Sequence, residues 1–518
     1  MKVFLILKNN NILIIDYGSQ YTQLIARRIR EKNVYSEVLP YNVNIKKIIS
    51  KNPIGIILSG GPASVYSKNS PNLNLELLSL GLPILGICYG FGLLLQNDGA
   101  RIEADKQREY GLSKLLLSDK SILTENVKNN SKVWMSHGDS IEALPNGWLE
   151  IAKTSNDVIA IASNEDSNLY GIQFHPEVIH TEYGNEIISN FLFNICKSEK
   201  NWTPVSFINS TIEKLRQDIG SKNILCAVSG GVDSTVMAKL IHEAVGDQLR
   251  AVFIDHGLLR KNEMSFIKND LSIALGFSIE CHDFSIQFLK KLKGVTNPEK
   301  KRKIIGERFI RSFESLIKNG KKTDLLAQGT LYPDVIESGG ISGTADVIKS
   351  HHNVGGIPED MNFKLIEPLR DLFKDEVRKV GSELSIPKKF IGRHPFPGPG
   401  LGVRIIGEIT NERILMLQEA DNIFIQSLID NKVYDEIWQA FAVLVPTRTV
   451  GVMGDSRTYG NLIALRAVVS VDGMTADWYR MPNEILEEVS SKIVNSVNGI
   501  NRVVYDISSK PPSTIEWE

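Results

Sequence analysis

Three short apolar runs, each ending in a glycine-rich or polar turn, constrain this chain more than any other feature. They are Ile12-Leu13-Ile14-Ile15-Asp16, Ile54–Leu58 and Leu82–Ile87. A continuous apolar run of this length, without polar alternation, is a strand buried on both faces. Helical spacing in Gln20–Arg30 and Asn74–Leu80 separates the runs. Strand, helix, strand in repetition predicts a parallel sheet covered by helices. The unit extends to about residue 199, where Lys197–Asn201 and Pro204 read as a linker.

A second α/β pattern follows, with a helix predicted over Ile208–Asp218 and strands over Asn223–Val228, Leu249–Ile254 and Asp324–Ala327. The cluster Pro395-Phe396-Pro397-Gly398-Pro399-Gly400 breaks all periodicity. Beyond it, helical runs (Asn411–Asp430, Asn483–Asn498) mix with strands (Leu462–Val471, Arg502–Ile507), which reads as α+β. The expected architecture is two successive α/β domains with mainly parallel sheets (1–199 and 200–393) and a smaller C-terminal α+β domain (394–518), in keeping with 518 residues.

Composition narrows the function class. Lys+Arg number 59 against 60 Asp+Glu, a net charge of -1, which argues against a nucleic-acid partner. The four cysteines, Cys88, Cys196, Cys226 and Cys281, form no Cys-x-x-Cys pair and too few bridges for a disulfide scaffold, so a reducing cytoplasm is expected. The apolar start Met1–Leu7 is too short for a signal sequence, and no stretch reaches membrane-spanning length.

Gly86-Ile87-Cys88-Tyr89-Gly90 sits where a buried strand turns into a predicted helix, Phe91–Gln96. Glycines on both sides of a tight turn suit an exposed nucleophile, and a helix N-terminus favours thiolate. Taken alone, an apolar-flanked Cys is equally a core residue. Gly171-Ile172-Gln173-Phe174-His175-Pro176-Glu177 supplies the partner. Pro176 biases His175 toward extended backbone, where residues two apart share a side, so Glu177 can orient the imidazole. The turn Ser59-Gly60-Gly61-Pro62 ends the preceding strand, and its N–H groups, Gly60 among them, with the N–H of Tyr89, could form an oxyanion hole. Together these segments resemble the class I glutamine amidotransferases. The resemblance implies Cys88 as nucleophile, His175 as general base and acid, and Glu177 as its orienter. Trp134-Met135-Ser136-His137-Gly138-Asp139 is similar to that family's glutamine-binding segment. At Gly92 the chain departs from the family, which usually carries there a Gln that helps hold the substrate.

Ser229-Gly230-Gly231-Val232-Asp233-Ser234-Thr235 lies between a predicted strand and a predicted helix over Thr235–Val245. Glycines let N–H groups approach phosphate, a helix N-terminus adds positive potential, and the hydroxyls of Ser229, Ser234 and Thr235 can donate. Asp233 is a candidate ligand for Mg²⁺, the hard cation expected with a nucleotide. No Gly-x4-Gly-Lys-Ser/Thr occurs. The string resembles the pyrophosphate loop of ATP pyrophosphatases, which cleave ATP to AMP and pyrophosphate. Asp255, at the end of the next strand, is expected near the nucleotide.

Further segments resemble the GMP synthetase family from Asp16 to Glu518. They are Gly294–Lys303, Ala327–Ser338, Lys349–Asn353, the Pro-Gly stretch 395–400 and Ser508–Glu518. The resemblance implies glutamine, XMP and ATP as substrates. It implies Lys301, Arg302, Asp334, Glu337, Lys349 and Lys374 at the lid and adenylation step. It further implies Gln439, Arg502, Lys510, Ile515 and Glu516 around XMP, and a homodimer through the C-terminal domain. From the residues alone, Lys300–Lys303 is equally a solvated charge run, and Lys374 a helix-surface partner of Asp371 and Asp375.

Overall fold

The computed structural model describes residues 10–62, 64–67, 70–318, 323–338, 364–453, 456–470 and 475–518, less the side chains at 103–107, 318, 336–338, 453 and 456. Lys349 and the Lys349–Asn353 segment lie outside these, as does the side chain of Glu337. The described residues divide into two compact units, one holding 10–214 and 333–338, the other 215–332 and 364–518.

The first unit is built on β1 (Asn11–Asp16), β2 (Tyr35–Pro40), β3 (Pro53–Leu58), β4 (Ile84–Ile87), β5 (Arg101–Leu117), β6 (Ser131–Ala143), β7 (Leu149–Thr154), β8 (Ile159–Asn164) and β9 (Leu169–Ile172). They form one nine-stranded sheet in the order β2-β1-β3-β4-β9-β8-β7-β5-β6. The first five in that order are parallel, as the apolar runs predict. The remainder is antiparallel and extends the sheet beyond β9. Helix α1 (Thr22–Arg30) follows β1, and α2 (Tyr89–Asn97) follows β4. The stretch expected as a helix at Asn74–Leu80 is a 3₁₀ segment, Leu75–Leu80, capped by the Asn74 side chain and ended by Gly81 at positive φ. Strands β1, β3 and β4 are buried along almost their whole length, so the core lies on both faces of the parallel half.

Helix α3 (Pro204–Ile219) carries the division between the units. The residues before it belong to the first unit: Trp202 donates from its N–H to Asn33 O (2.9 Å), and its ring lies 4.7 Å from that of Tyr35.

The second unit holds two sheets. Strands β10 (Ile224–Ala227), β11 (Leu249–Asp255), β12 (Glu280–Asp283), β13 (Leu325–Ala327) and β14 (Lys364–Ile366) are all parallel, in the order β12-β11-β10-β13-β14. Helix α4 (Val232–Val245) follows β10, α5 (Pro298–Lys318) precedes β13, and α6 (Lys374–Glu383) follows β14. From β10 the chain steps to β11 on one side, while β13 fills the other. The switch point, and hence the ligand crevice of an open α/β sheet, therefore falls at the C-terminal end of β10. The last sheet joins β15 (Gln439–Met453), β16 (Ser456–Val469), β17 (Asp477–Trp478) and β18 (Ile500–Tyr505) around β16, with α7 (Asn411–Asp430) and α8 (Asn483–Ser496) covering it. Ala440–Leu444 of β15 are buried in the core. No described helix is long and apolar enough to cross a membrane.

Candidate active sites: the thiol and the phosphate loop

Cys88 is the single residue between β4 and α2, and its backbone sits at φ 52°, ψ −104°. A non-glycine residue in such a region costs about 1–3 kcal/mol and persists only where its surroundings over-determine it. Here they do. The Cys88 N–H donates to Ile172 O on β9 at 2.7 Å. A Cβ on Gly86 would stand 2.6 Å from Phe91 N, and one on Gly90 2.5 Å from Leu58 O. Both flanking glycines are thus demanded by backbone packing, and the elbow expected from sequence is present.

Three residues beyond β9, His175 is locked at both backbone ends: its N–H donates to Trp134 O (3.0 Å) and its carbonyl accepts from Thr181 Oγ1 (2.7 Å). Its Nδ1 lies 2.7 Å from Glu177 Oε1, with the imidazole 3% and the carboxylate 0% exposed. His175 Nδ1–H therefore donates to the Glu177 carboxylate, leaving Nε2 for the Cys88 sulfur, which is the imidazole's other side-chain partner. Burial alone would weaken the imidazole's hold on a proton. The Glu177 charge and the bonds to Cys88 and Glu177 outweigh it, and His175 titrates well above the usual histidine range. Arg28 Nε braces the Glu177 carbonyl at 3.0 Å.

Gly60 lies against this imidazole: a Cβ there would be 3.1 Å from His175 Cε1. The Gly90 N–H is used by Ser59 O (3.1 Å) and the Cys88 N–H by Ile172 O, whereas the Tyr89 N–H, in the first turn of α2, bonds to no described residue. Gly92 is buried on α2, where a Cβ would stand 3.1 Å from Val65 Cγ1.

Several contacts at the thiol were not legible in sequence. The Ser136 carbonyl lies 3.6 Å and Gln173 Nε2 3.9 Å from Cys88 Sγ, and the Tyr21 ring meets His175 edge-on at 4.9 Å. Behind Ser136, buried Glu109 gathers Ser113 (3.2 Å), Thr154 (3.1 Å) and Asn156 (2.5 Å), with His137 Nε2 at 3.8 Å. Burial pushes the Glu109 carboxyl up, but these bonds prevail and hold it below the ordinary carboxylate range.

In the second unit the loop Ser229–Gly231 crosses from β10 to α4 at the switch point. Helix α4 starts at Val232, three residues earlier than expected, so Asp233 and Ser234 occupy its first turn. Ser234 Oγ accepts from the Ser229 N–H (3.0 Å) and donates to Gly231 O (3.2 Å), and the Gly231 N–H reaches Ser229 Oγ at 3.4 Å. The hydroxyls of Ser229 and Ser234 shape the loop. The earlier helix start corrects the expectation for Thr235, which is 0% exposed with its Oγ1 enclosed and turned inward. Asp233 Oδ2 pairs with Lys374 Nζ at 2.5 Å, bringing two expected residues together, while Asp233 Oδ1 is enclosed with no hydrogen-bond partner among the described residues. Gly329, after β13, approaches the same Asp233 side chain. Asp255 ends β11 beside the loop and accepts from the Gly257 N–H (2.7 Å); burial, with Asp283 adding to it, pushes its carboxyl up.

Lys301 and Arg302 differ from their expected place with the ATP phosphates. Lys301 is 0% exposed; its ammonium donates to Ile405 O (2.6 Å) and pairs with the Glu518 carboxylate, and Arg302 donates to the Glu518 carbonyl. Burial lowers the Lys301 ammonium's pKa, with Glu518 opposing. The reason is that this face of α5 packs against the final segment. That segment also brings together three residues expected at XMP. Gln439 Nε2 donates to Glu516 Oε1 (2.7 Å), Arg404 binds Glu516 through two nitrogens (2.8 and 3.1 Å), and Arg466 Nε donates to Ile515 O (3.4 Å). Arg502 is exposed on β18, Lys510 exchanges main-chain bonds with Ala476, and Asp334 lies on the short helix Tyr332–Ser338. Arg404 and Arg466, both fully buried, were missed. An arginine alone in an apolar strand such as Ile463–Val469 is the signal that announces one of them.

Among the described residues no three His, Cys, Asp or Glu side chains cluster to hold a metal ion. The unpartnered Asp233 Oδ1 beside a phosphate loop suits a magnesium ion that arrives with a nucleotide and takes most ligands from it and from water.

Comparison with known proteins assigns each region. Residues 13–195 match the family "Glutamine amidotransferase class-I", residues 205–297 the "PP-loop domain", and residues 426–517 the "GMP synthase C terminal domain". Over 507 residues the chain is 52% identical to a protein of Aquifex aeolicus named GMP synthase (glutamine-hydrolyzing), covering 98% of this chain and 99% of that one. A protein of the same name from Clostridium tetani is 52% identical over 512 residues, covering 99% and 100%.

Proposed function

Because this chain belongs to the glutamine-hydrolysing GMP synthases, we propose that its two sites divide the reaction, Cys88 releasing ammonia from glutamine and the Ser229–Ser234 loop holding the ATP that activates XMP. The overall reaction converts XMP, ATP and glutamine to GMP, AMP, pyrophosphate and glutamate. The observation that carries the division is the hydrogen-bonded line from Cys88 through His175 to Glu177 in the first unit, with a phosphate loop at the switch point of the second.

In the first site Cys88 Sγ attacks the carboxamide carbon of glutamine. His175 takes the thiol proton and delivers it to the departing ammonia, Glu177 holding the imidazole in register. The N–H groups of Gly60 and Tyr89 receive the charge on the carbonyl oxygen. Water then attacks the thioester, with His175 as base, and glutamate leaves. In the second site the C2 oxygen of XMP attacks the α-phosphorus of ATP and pyrophosphate departs. Ammonia adds at C2 and displaces AMP. Backbone N–H groups from Gly230 to Ser234 and the Lys374 ammonium bear the phosphate charge, with Asp255 alongside, and Asp334 is assigned to the adenylation step by likeness to the family. Asp233 would hold Mg²⁺, which when bound neutralises phosphate oxygens. Gln439, Ile515 and Glu516, with Arg502 and Lys510, line the XMP site, and Lys301 and Arg302 act there by anchoring Glu518. We divide the chain functionally into 1–199, 200–393 and 394–518, and we place the enzyme in the cytoplasm. Turnover with XMP and ATP, supplied with either glutamine or ammonium and followed by AMP, GMP and pyrophosphate, tests the whole scheme. Absence of pyrophosphate would overturn it.

Glu177→Gln isolates the orienting carboxylate. The imidazolium–thiolate pair is the reactive form, so glutamine-driven turnover falls as pH rises through the His175 pKa. Removing the charge that raises that pKa moves this alkaline limb to lower pH and slows glutamine-driven turnover about 10²-fold. Ammonium-driven turnover keeps its own profile. A pH series with both nitrogen sources decides; an unmoved limb would remove Glu177 from this role.

The homodimer rests on the hairpin β15–β16. Val450 and Val452, two apart on β15, share a face with Tyr459 opposite Val450, and all three are more than half exposed. Such a patch rarely stays uncovered. Sedimentation at micromolar concentration is expected to give twice the mass of 57.7 kDa, and Val452→Glu to shift it toward one chain. A wild-type monomer would refute the dimer.

A further inference from the structure

A phosphate loop works by pointing N–H groups at its ligand, and each such N–H shares a rigid plane with the carbonyl of the residue before it. Whatever holds that carbonyl therefore aims the N–H. In this loop the Gly230 carbonyl accepts from Arg393 Nη1 at 3.2 Å. The same guanidinium is clamped by Glu263 through two parallel bonds, Nη1 to Oε1 at 2.8 Å and Nη2 to Oε2 at 2.7 Å. Glu263 is 6% exposed, and the guanidinium also lies over the Phe266 ring, 4.8 Å from its centre.

The loop rests directly on this pair. Gly230 sits at φ +77°, and a Cβ there would meet Ile267 Cδ1 at 2.5 Å and Glu263 Oε1 at 3.2 Å. Arg393 itself is fixed from behind. The next residue, His394, is stacked on Tyr434 with ring centres 3.8 Å apart, receives the Ala440 N–H on Nδ1 (3.2 Å), and gives its carbonyl to Arg260 Nη2 (3.3 Å). A mostly buried ion pair is a weak source of stability, because desolvating two charges offsets their attraction. Its geometry is specific, since a planar fork facing a carboxylate leaves the guanidinium one orientation.

We propose that Arg393, clamped by Glu263, is a positioning residue for ATP: it holds the Gly230 carbonyl and so fixes the peptide plane whose Gly231 N–H, held at 3.4 Å by Ser229 Oγ, exchanges that long bond for the nucleotide phosphates when they bind. It rests on reading Ser229–Ser234 as the ATP loop. Lysine at 393 keeps the charge but cannot clasp Glu263 with two nitrogens and still reach Gly230.

The test is ammonium-driven GMP formation by the full-length enzyme, with Ser234→Ala measured in parallel. Arg393→Lys is expected to raise KM for ATP about tenfold, the scale of one charge-assisted hydrogen bond, while KM for XMP stays within about twofold. A merely structural role would lower the active fraction and kcat without separating the two KM values, and that result overturns the proposal. Glu263→Gln, which keeps the shape and loses the clamp's charge, is expected to raise KM for ATP in the same direction, and it carries the test should Arg393→Lys not fold. If Ser234→Ala leaves ATP use unchanged, the loop reading itself fails. If Ser234→Ala weakens ATP use and both floor variants do not, the loop stands and the positioning role falls.

Discussion

Cys88→Ala is expected to abolish GMP formation from glutamine, by at least about 10⁴-fold, and to leave formation from ammonium within about twofold of wild type. The asymmetry follows from the division of labour. Cys88 supplies the sulfur bonded to His175, and without it no thioester forms. His175 and Glu177 remain, but they have no nucleophile to activate. The substitution is also mild to the fold. Alanine is smaller than cysteine, and the positive φ at position 88 is enforced by its neighbours, the Ile172 carbonyl and the backbone packed on Gly86 and Gly90. The loop proposed for ATP and the residues proposed for XMP belong to the second unit, so their chemistry is expected to continue when ammonia comes from solution. Measuring both nitrogen sources on one preparation separates the alternatives. Equal survival of both routes would remove Cys88 from the mechanism; equal loss would mean that the variant had damaged more than the thiol.

Asp233→Ala is expected to have the opposite pattern, slowing both routes together by about 10²–10³-fold. Adenylation of XMP precedes the arrival of ammonia, so its loss is blind to the nitrogen source. Two effects combine. The enclosed Oδ1 that suits magnesium is removed, and Lys374, which pairs with Oδ2, is released from its place over the loop. Pyrophosphate release at saturating XMP and ammonium, against glutamate release as a readout of the first unit, is the measurement. Unchanged ammonium-driven turnover would sink the assignment of this loop to ATP.

The features legible in sequence are those whose physics is local. Runs such as Ile12–Asp16 announce strands buried on both faces, because nothing else keeps five consecutive residues out of water. The elbow at Cys88 and the His175–Glu177 pair were readable because their partners lie within two residues. The antiparallel half of the first sheet was not. Strand β5 runs over 17 residues, with Glu, Lys, Arg and Tyr interleaved among its few apolar positions, and its identity as a strand depends on β6 and β7 lying beside it. The expected start of α4 fell three residues late because Asp233 and Ser234 read as loop residues, whereas the extended backbone is at Gly231 and both lie inside the first turn. Lys301 looked like a solvated or phosphate-bound cation within a charge run. Its partner, Glu518, is 217 residues away and is known only once the chain is folded. The same holds for Arg404 with Glu516 and for the Arg393–Glu263 floor.

The burial of the remaining sulfurs has a practical side. Cys196 and Cys226 are enclosed in cores, which pushes the Cys226 thiol up to about 12 and that of Cys196 higher still, and the half-buried Cys281 is raised as well. Among the described cysteines, Cys88 is the one bonded to a histidine. A thiol-directed reporter is therefore best aimed at Cys88, whose neighbouring imidazole can take its proton, set by the same elbow that makes the residue a nucleophile.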